Sequence, residues 1–218
     1  MRQRFVWSCV LVGVALTTRA NAQIRAPRGP EPTSPYNVGL SYGLFELGTY
    51  TDGRSNTTWD FGWTTSVAAT VEKTLTAGSA VGLEAAFASP RLNYNPVGVF
   101  GSCPTLGGCI AKADVTQFLI TGRLGGGFLG IRSSFVLKAG ATQFGNFRDA
   151  TTDTKLSGMG GGWDPTFGTD YQLGVSLTPR TDMYFETGLL FVLHDSGNTV
   201  TTAPPTNYTV KIGLRQGF

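Results

Sequence analysis

Between Tyr36 and Phe218 the chain repeats one pattern eight times: about ten residues in which apolar side chains alternate with Gly, Ser, Thr and occasional charge. Alternation with a period of two is the mark of a strand whose two faces meet different surroundings. The segments are Tyr36–Leu47, Trp59–Glu72, Val81–Ser89, Asp114–Leu124, Arg132–Phe144, Thr166–Leu177, Met183–His194 and Tyr208–Phe218, and no amphipathic helix competes with them. The faces decide the class of fold. Leu40, Tyr42 and Leu44 oppose Gly39, Ser41 and Gly43; Trp59, Phe61, Trp63 and Val67 oppose Asp60, Gly62, Thr64 and Ser66; Ile212 and Leu214 oppose Lys211, Gly213 and Arg215. Charge keeps to the face of small polar residues, whereas a soluble ligand-binding barrel needs an apolar interior and a charged exterior. An exterior that meets hydrocarbon fits instead, and a tilted strand of about ten residues is long enough to cross it. Backbone groups cannot stay unpaired in lipid, so the eight segments must close on themselves. The expectation is an all-β chain forming an eight-stranded antiparallel up-and-down transmembrane β-barrel.

Composition agrees. Only 14% of the residues are charged, against about 25% in soluble domains, yet no apolar run approaches the roughly 20 residues of a membrane helix. Residues 1–22 read as a signal peptide. Arg2 and Arg4 precede the apolar stretch Phe5–Leu16, and Ala20-Asn21-Ala22 offers a small-x-small cleavage site. Cys9 lies inside the apolar stretch, which argues against a lipid anchor. Removing Arg2, Arg4 and Arg19 lowers Lys+Arg from 17 to match the 14 Asp+Glu. The chain is then near neutral, with no electrostatic footprint for nucleic acid. Residues 23–35 hold four prolines and read as an extended lead, leaving 36–218 as the barrel domain. Cys103 and Cys109 form an even pair in a Pro/Gly-rich segment, which points to a disulfide closing a small loop. Two thiols without a nearby histidine make a poor metal site.

The terminal run Tyr208-Thr-Val-Lys-Ile-Gly-Leu-Arg-Gln-Gly-Phe218 resembles the last strand of outer-membrane β-barrel proteins. The likeness covers the whole chain after residue 22 in architecture and the last eleven residues in motif, and it is closest in kind to the small barrels of the outer membrane protein A, X and W group. It implies that Tyr208, Val210, Ile212, Leu214 and Phe218 form a signal for the barrel assembly machinery; Gln216 departs from the pattern at one outward position. It also implies export to the outer membrane of a Gram-negative-type bacterium, with outer-membrane lipid as a partner. The connections alternate as such barrels require. Gly48–Thr58, Pro90–Ala113, Gly145–Pro165 and Asp195–Asn207 are long and belong outside the cell; Thr178–Asp182 is short and belongs in the periplasm with both termini.

Seven charges fall on the inward face: Glu84, Arg123, Lys138, Asp170, Glu186, Lys211 and Arg215. Counted from the periplasmic strand ends, Glu84, Glu186, Arg215 and Arg123 form one level and Lys138, Asp170 and Lys211 a second. Buried charges need partners, so the first reading is a salt-bridge network filling a narrow lumen; a porin-like gate in a passive pore is the alternative. Thr209 and Gly213, also inward, are expected to tolerate small polar substitutions. Trp59, Trp63, Tyr36, Tyr171, Tyr184 and Tyr208 lie near strand ends, where rings favour the membrane–water boundary. The sole histidine, His194, is followed by Asp195, Ser196, Gly197 and Asn198. This faintly resembles the His-x-Ser-Asn of lipid A deacylases, departing by the inserted Gly197 and by the lack of a carboxylate in the last strand. The Gly125–Gly127 and Gly160–Gly162 runs precede no helix and are not phosphate loops. The loop acids Asp52, Asp149, Asp153 and Asp164 lack calcium-loop spacing. No cofactor or metal is implied. The leading expectation is a non-enzymatic barrel with a structural or surface role and an unidentified extracellular loop ligand, ahead of a small passive pore and an esterase.

Overall fold

The computed structural model describes residues 35–76, 78–95, 109–128, 131–195 and 206–218. They form eleven strands and no helix: β1 Tyr36–Glu46, β2 Thr49–Asp52, β3 Thr57–Phe61, β4 Trp63–Thr76, β5 Ser79–Ala88, β6 Arg91–Tyr94, β7 Ile110–Phe128, β8 Ile131–Asp149, β9 Trp163–Thr178, β10 Thr181–Val192 and β11 Thr206–Gly217. Eight of them close a barrel. In the order β1, β4, β5, β7, β8, β9, β10, β11 each pairs antiparallel with the next, and β11 returns to β1, with Leu40 opposite Leu214. No edge is left to lipid, as the backbone requires.

The connections are less irregular than alternation alone suggests. β2 and β3 make a hairpin that pairs through β6 onto the far end of β7. The two longest strands, β7 and β8, run 19 residues each and rise with it. The long connections therefore build a second storey of sheet. We call this the loop end; the tight turns, Tyr36 and Phe218 lie at the turn end.

The two storeys have opposite polarity. Along the lower barrel Leu40, Val67, Leu83, Phe118, Leu137, Leu173, Phe185 and Ile212 point outward, each more than 40% exposed, while Ser41, Thr70, Glu84, Thr121, Lys138 and Lys211 are buried inside. In the upper storey Phe45, Leu47, Tyr50, Trp59, Phe61, Phe144 and Phe147 are buried within, and Asp60, Arg91, Lys112, Asp114 and Arg148 face outward. Between β3 and β4 and within β8 the inversion is made locally by slipping the strand phase by one residue, whereas β1 and β7 keep one phase and change the kind of side chain. β3 stops at Phe61, Gly62 joins no ladder, and β4 starts at Trp63; inward positions change from Trp59 and Phe61 to Ser66, Ala68 and Thr70. Asn146, with φ +52°, makes the same shift in β8, where inward Phe144 is followed by inward Phe147. Such an extra residue turns every later side chain to the other face.

This corrects two expectations. Trp59 and Phe61 do not share the outer face with Trp63, because the phase slips between them. Trp59 is 0% exposed and Tyr184 only 4%, so neither ring marks the membrane boundary. Tyr36 and Trp63 do lie outward at opposite ends, Tyr208 lies outward near the loop end, and Tyr171 lies outward within its strand. Trp163 joins the loop-end ring, its ring centre 5.6 Å from that of Phe118 in a tilted contact.

Candidate functional site: the filled lumen

Strand shear decides which lumen charges meet. The registered row that leaves β1 at Leu40 passes Ala69, Ala85, Phe118 and Ala141 and reaches Pro165, close to the loop end of β9. The other neighbour of Leu40 is Leu214, close to the turn end of β11. Equal distance from a strand end is therefore not equal height. The two levels expected by counting residues are regrouped accordingly.

One group centres on Lys138. Its Nζ lies 2.8 Å from Glu84 Oε2, 2.6 Å from Asp170 Oδ2 and 2.8 Å from Glu186 Oε1. Lys211 Nζ sits 2.7 Å from the other oxygen of Glu84 and faces Glu186 across the β10–β11 ladder. Thr209 donates its hydroxyl to Asp170. The side chains of Lys138 and Asp170 are fully buried. The second group centres on Glu72, whose Oε2 lies 3.1 Å from both Arg123 Nη2 and Arg215 Nε. Arg215 also covers the ring of Tyr184 at 4.8 Å. Gln172 joins the groups: it donates to Glu186 at 2.9 Å and accepts from Arg215 at 3.0 Å.

All seven expected charges enter this network, but Glu84 and Glu186 belong with Lys138 and not with Arg215. Glu72 was missed, although a signal existed. The expected set held four cations and three carboxylates; Glu72 completes four against four. Burial demands that balance. Gly213 is also less permissive than its inward position suggests. A Cβ there would lie 2.4 Å from Tyr184 Cζ and 2.8 Å from the Leu40 carbonyl oxygen.

Above the charges sits an apolar plug. The rings of Trp59 and Phe147 lie 4.7 Å apart, and Phe61 stacks on Phe144 at 5.7 Å. Leu47, Leu190 and Val192 fill the gaps. Its polar atoms are paired: Trp59 Nε1 donates to Thr57 and the Tyr50 hydroxyl to Asn207, both at 2.8 Å. His194, just past β10, closes the plug. Its ring packs against Trp59, Tyr50 and Phe144. Nδ1 lies 2.7 Å from Asp164 and Nε2 3.5 Å from Asp52. Burial disfavours the imidazolium, but the hydrogen bond to Asp164 and the nearby carboxylate of Asp52 more than offset it and raise the pKa to about 9. Burial likewise pushes the Asp52 carboxyl up, and the nearby His194 ring with the hydrogen bonds from Ser55 prevails and holds it below its ordinary value. The carboxylates that the last strand does not offer His194 are thus supplied by β2 and β9, which no local motif reveals.

Tyr208, Ile212, Leu214 and Phe218 all point outward at 48–68% exposure, with Val210 on the same face. Cys103, Ser196, Gly197 and Asn198 lie outside the described residues.

A closed antiparallel barrel with an apolar waist and a polar, paired interior is the architecture of a membrane-spanning β-barrel. Among solved structures the chain is similar to the Neisserial surface protein A, with a TM-score of 0.53 and 9% identity, over 85% of this chain and 98% of that one. It is also similar to the outer membrane protein OprG from Pseudomonas aeruginosa, with a TM-score of 0.51 and 11% identity, over 85% and 97%. At such identities the likeness is one of fold: this chain has the fold of the small eight-stranded outer-membrane β-barrels. No family model matches the sequence, and no curated protein matches it.

Proposed function

We propose that this is a non-conducting, non-enzymatic barrel of the bacterial outer membrane, acting structurally or through its loop-end surface. One observation carries the reading: the lumen is filled twice, by neutralised charges below and by packed rings above. A water path would have to cross both the fully buried Lys138–Asp170 pair and Trp59, which is 0% exposed. Planar-bilayer recording tests it. No stable single-channel step is expected from the wild-type barrel; reproducible steps that shift with Glu186→Gln or Arg215→Ala would establish a narrow pore instead.

The state of His194 argues against an esterase. Carboxylates face both ring nitrogens, and with a pKa of about 9 the ring keeps its proton at neutral pH. A general base must be free to accept one. Lipid A profiles are expected to be unchanged by His194→Ala and Ser196→Ala. The export signal at residues 1–22, the Cys103–Cys109 disulfide and recognition of Phe218 by the assembly machinery complete the proposal. Heat-modifiable gel migration of an outer-membrane fraction checks localisation, and the intact mass of the protein after alkylation without reduction checks the thiols. Deleting Phe218 is expected to slow assembly more than it weakens the folded barrel.

A further inference from the structure

On the outer wall of the upper storey four cations stand side by side. Arg91 on β6 is the register partner of Lys112 on β7, and Lys112 is the partner of Arg148 on β8. Arg148 in turn bridges Lys155 in the following segment. Directly opposed like charges destabilise a sheet, and here the like charge continues across four neighbouring segments. The phase is unambiguous: flanking Leu92, Ala111, Ala113, Phe147 and Asp149 are buried inward, so the four cations face out.

The protein supplies little to neutralise the row. Among the described residues only Arg148 has an acid, Asp153, at 3.1 Å and in an exposed pair. The other nearby carboxylates are spent on neutral donors. Asp114 accepts from Ser89 and Asn146, and Asp60 from Thr49. Among the described residues Arg91, Lys112 and Lys155 form no ion pair, and the sequence between β6 and β7, residues 96–108, contains no Asp or Glu. The height of the row is the second observation. The apolar belt ends on this wall at Phe87 and Phe118, with Phe87 registered to Thr116. Lys112 is four residues above Thr116, about 13 Å along the strand and roughly 10 Å of height after tilt. The headgroup zone beyond the hydrocarbon is about 5–8 Å deep, and the long Lys112 and arginine side chains reach back into it.

We propose that Arg91, Lys112, Arg148 and Lys155 form a binding surface for the phosphate groups of a phosphorylated glycolipid in the surrounding outer leaflet. Planar guanidinium groups flanking an ammonium suit phosphate oxygens, which accept charge-assisted hydrogen bonds from both. A bound phosphate removes the repulsion within the row, and the lipid then anchors the wall of the upper storey. The inference rests on the outer-membrane reading, and the experiment separates the two.

The folded barrel is reconstituted in phosphatidylcholine vesicles containing diphosphorylated lipid A, enzymatically dephosphorylated lipid A, or neither. Heat-modifiable migration in plain phosphatidylcholine tests the barrel itself. In folded samples, diphosphorylated lipid A is expected to raise the unfolding midpoint and the dephosphorylated form to leave it unchanged. The variant R91Q/K112Q/R148Q, which changes only outward-facing side chains, is expected to fold normally in plain vesicles and lose the shift. Each removed cation is expected to weaken lipid A binding about tenfold. An equal shift with dephosphorylated lipid, or an undiminished shift in the variant, overturns the proposal. Binding of a soluble sulfated oligosaccharide as tightly as lipid A also overturns it, by showing a site for soluble polyanions.

Discussion

The lower and upper storeys of this barrel solve the same problem with opposite materials. Below, the outside is apolar and the inside is charged; above, the inside is aromatic and the outside is charged. The lower storey meets hydrocarbon, so apolar side chains gain nothing by turning inward, and the lumen can hold polar groups if their charges cancel. The upper storey meets water, and there the hydrophobic effect fills the interior as in any soluble domain. One sheet passes continuously from one solvent to the other, and the phase slips at Gly62 and Asn146 mark the passage in two of its strands. The two storeys should therefore fail in different ways.

The largest effect is expected at Lys138. Lys138→Met leaves Glu84, Asp170 and Glu186 buried with one cation, Lys211, and should cost about 3–5 kcal/mol in urea unfolding of the reconstituted barrel. Protection against hydrogen exchange should fall throughout the ladder. Trp59→Ala removes a ring of the plug and should cost a similar ~3–5 kcal/mol, but only β2, β3, β6 and the upper ends of β7 and β8 should lose protection. Equal loss in β1, β4 and β11 would show that the storeys unfold as one.

Next comes the outer wall of the lower storey. Ile212→Arg sets a cation among outward apolar residues and should cost about 2–4 kcal/mol if the position is near the midplane. A protein recovered in the soluble fraction and indifferent to this change would remove the basis of the comparison. Gly213→Ser sharpens it from inside, since the new Cβ meets the Tyr184 ring at 2.4 Å. A cost of about 1–3 kcal/mol is expected from overpacking. In the double variant with Tyr184→Ala the two costs should fail to add.

The smallest effect is a pH response of the plug. The folded pKa of His194, about 9, exceeds the ordinary 6.5, so its contribution is complete below about 6.5 and fades as pH rises through 9. Asp52 has the opposite sign: its folded pKa is depressed below 3.8, so its contribution is complete above that value and is lost as pH falls below it. Trp59 emission should be steady between these limits and change reversibly as pH passes 9. His194→Gln should abolish the alkaline change while leaving the β-ladder intact. A Trp59 signal flat to pH 11 would mean that the histidine does not hold the plug closed.

The sequence by itself determined the strands of the lower barrel, their closure and the inward face, because hydrocarbon outside and a narrow lumen inside impose a strict two-residue period. Leu40, Leu83 and Ile212 against Ser41, Glu84 and Lys211 are legible one strand at a time. Tertiary structure alone decided which charges meet. Shear places Glu84 beside Lys138 and leaves Arg215 to Glu72, and no count within a strand contains that offset. It also decided the upper storey. Trp59 and Trp63 are four residues apart and read as one face, yet one is sealed in the plug and the other faces outward. The strand passes from lipid to water between them, and the hydrophobic effect changes sides. His194 is the last case: its two carboxylates arrive from strands 30 and 142 residues away in sequence, brought together only by closure of the barrel.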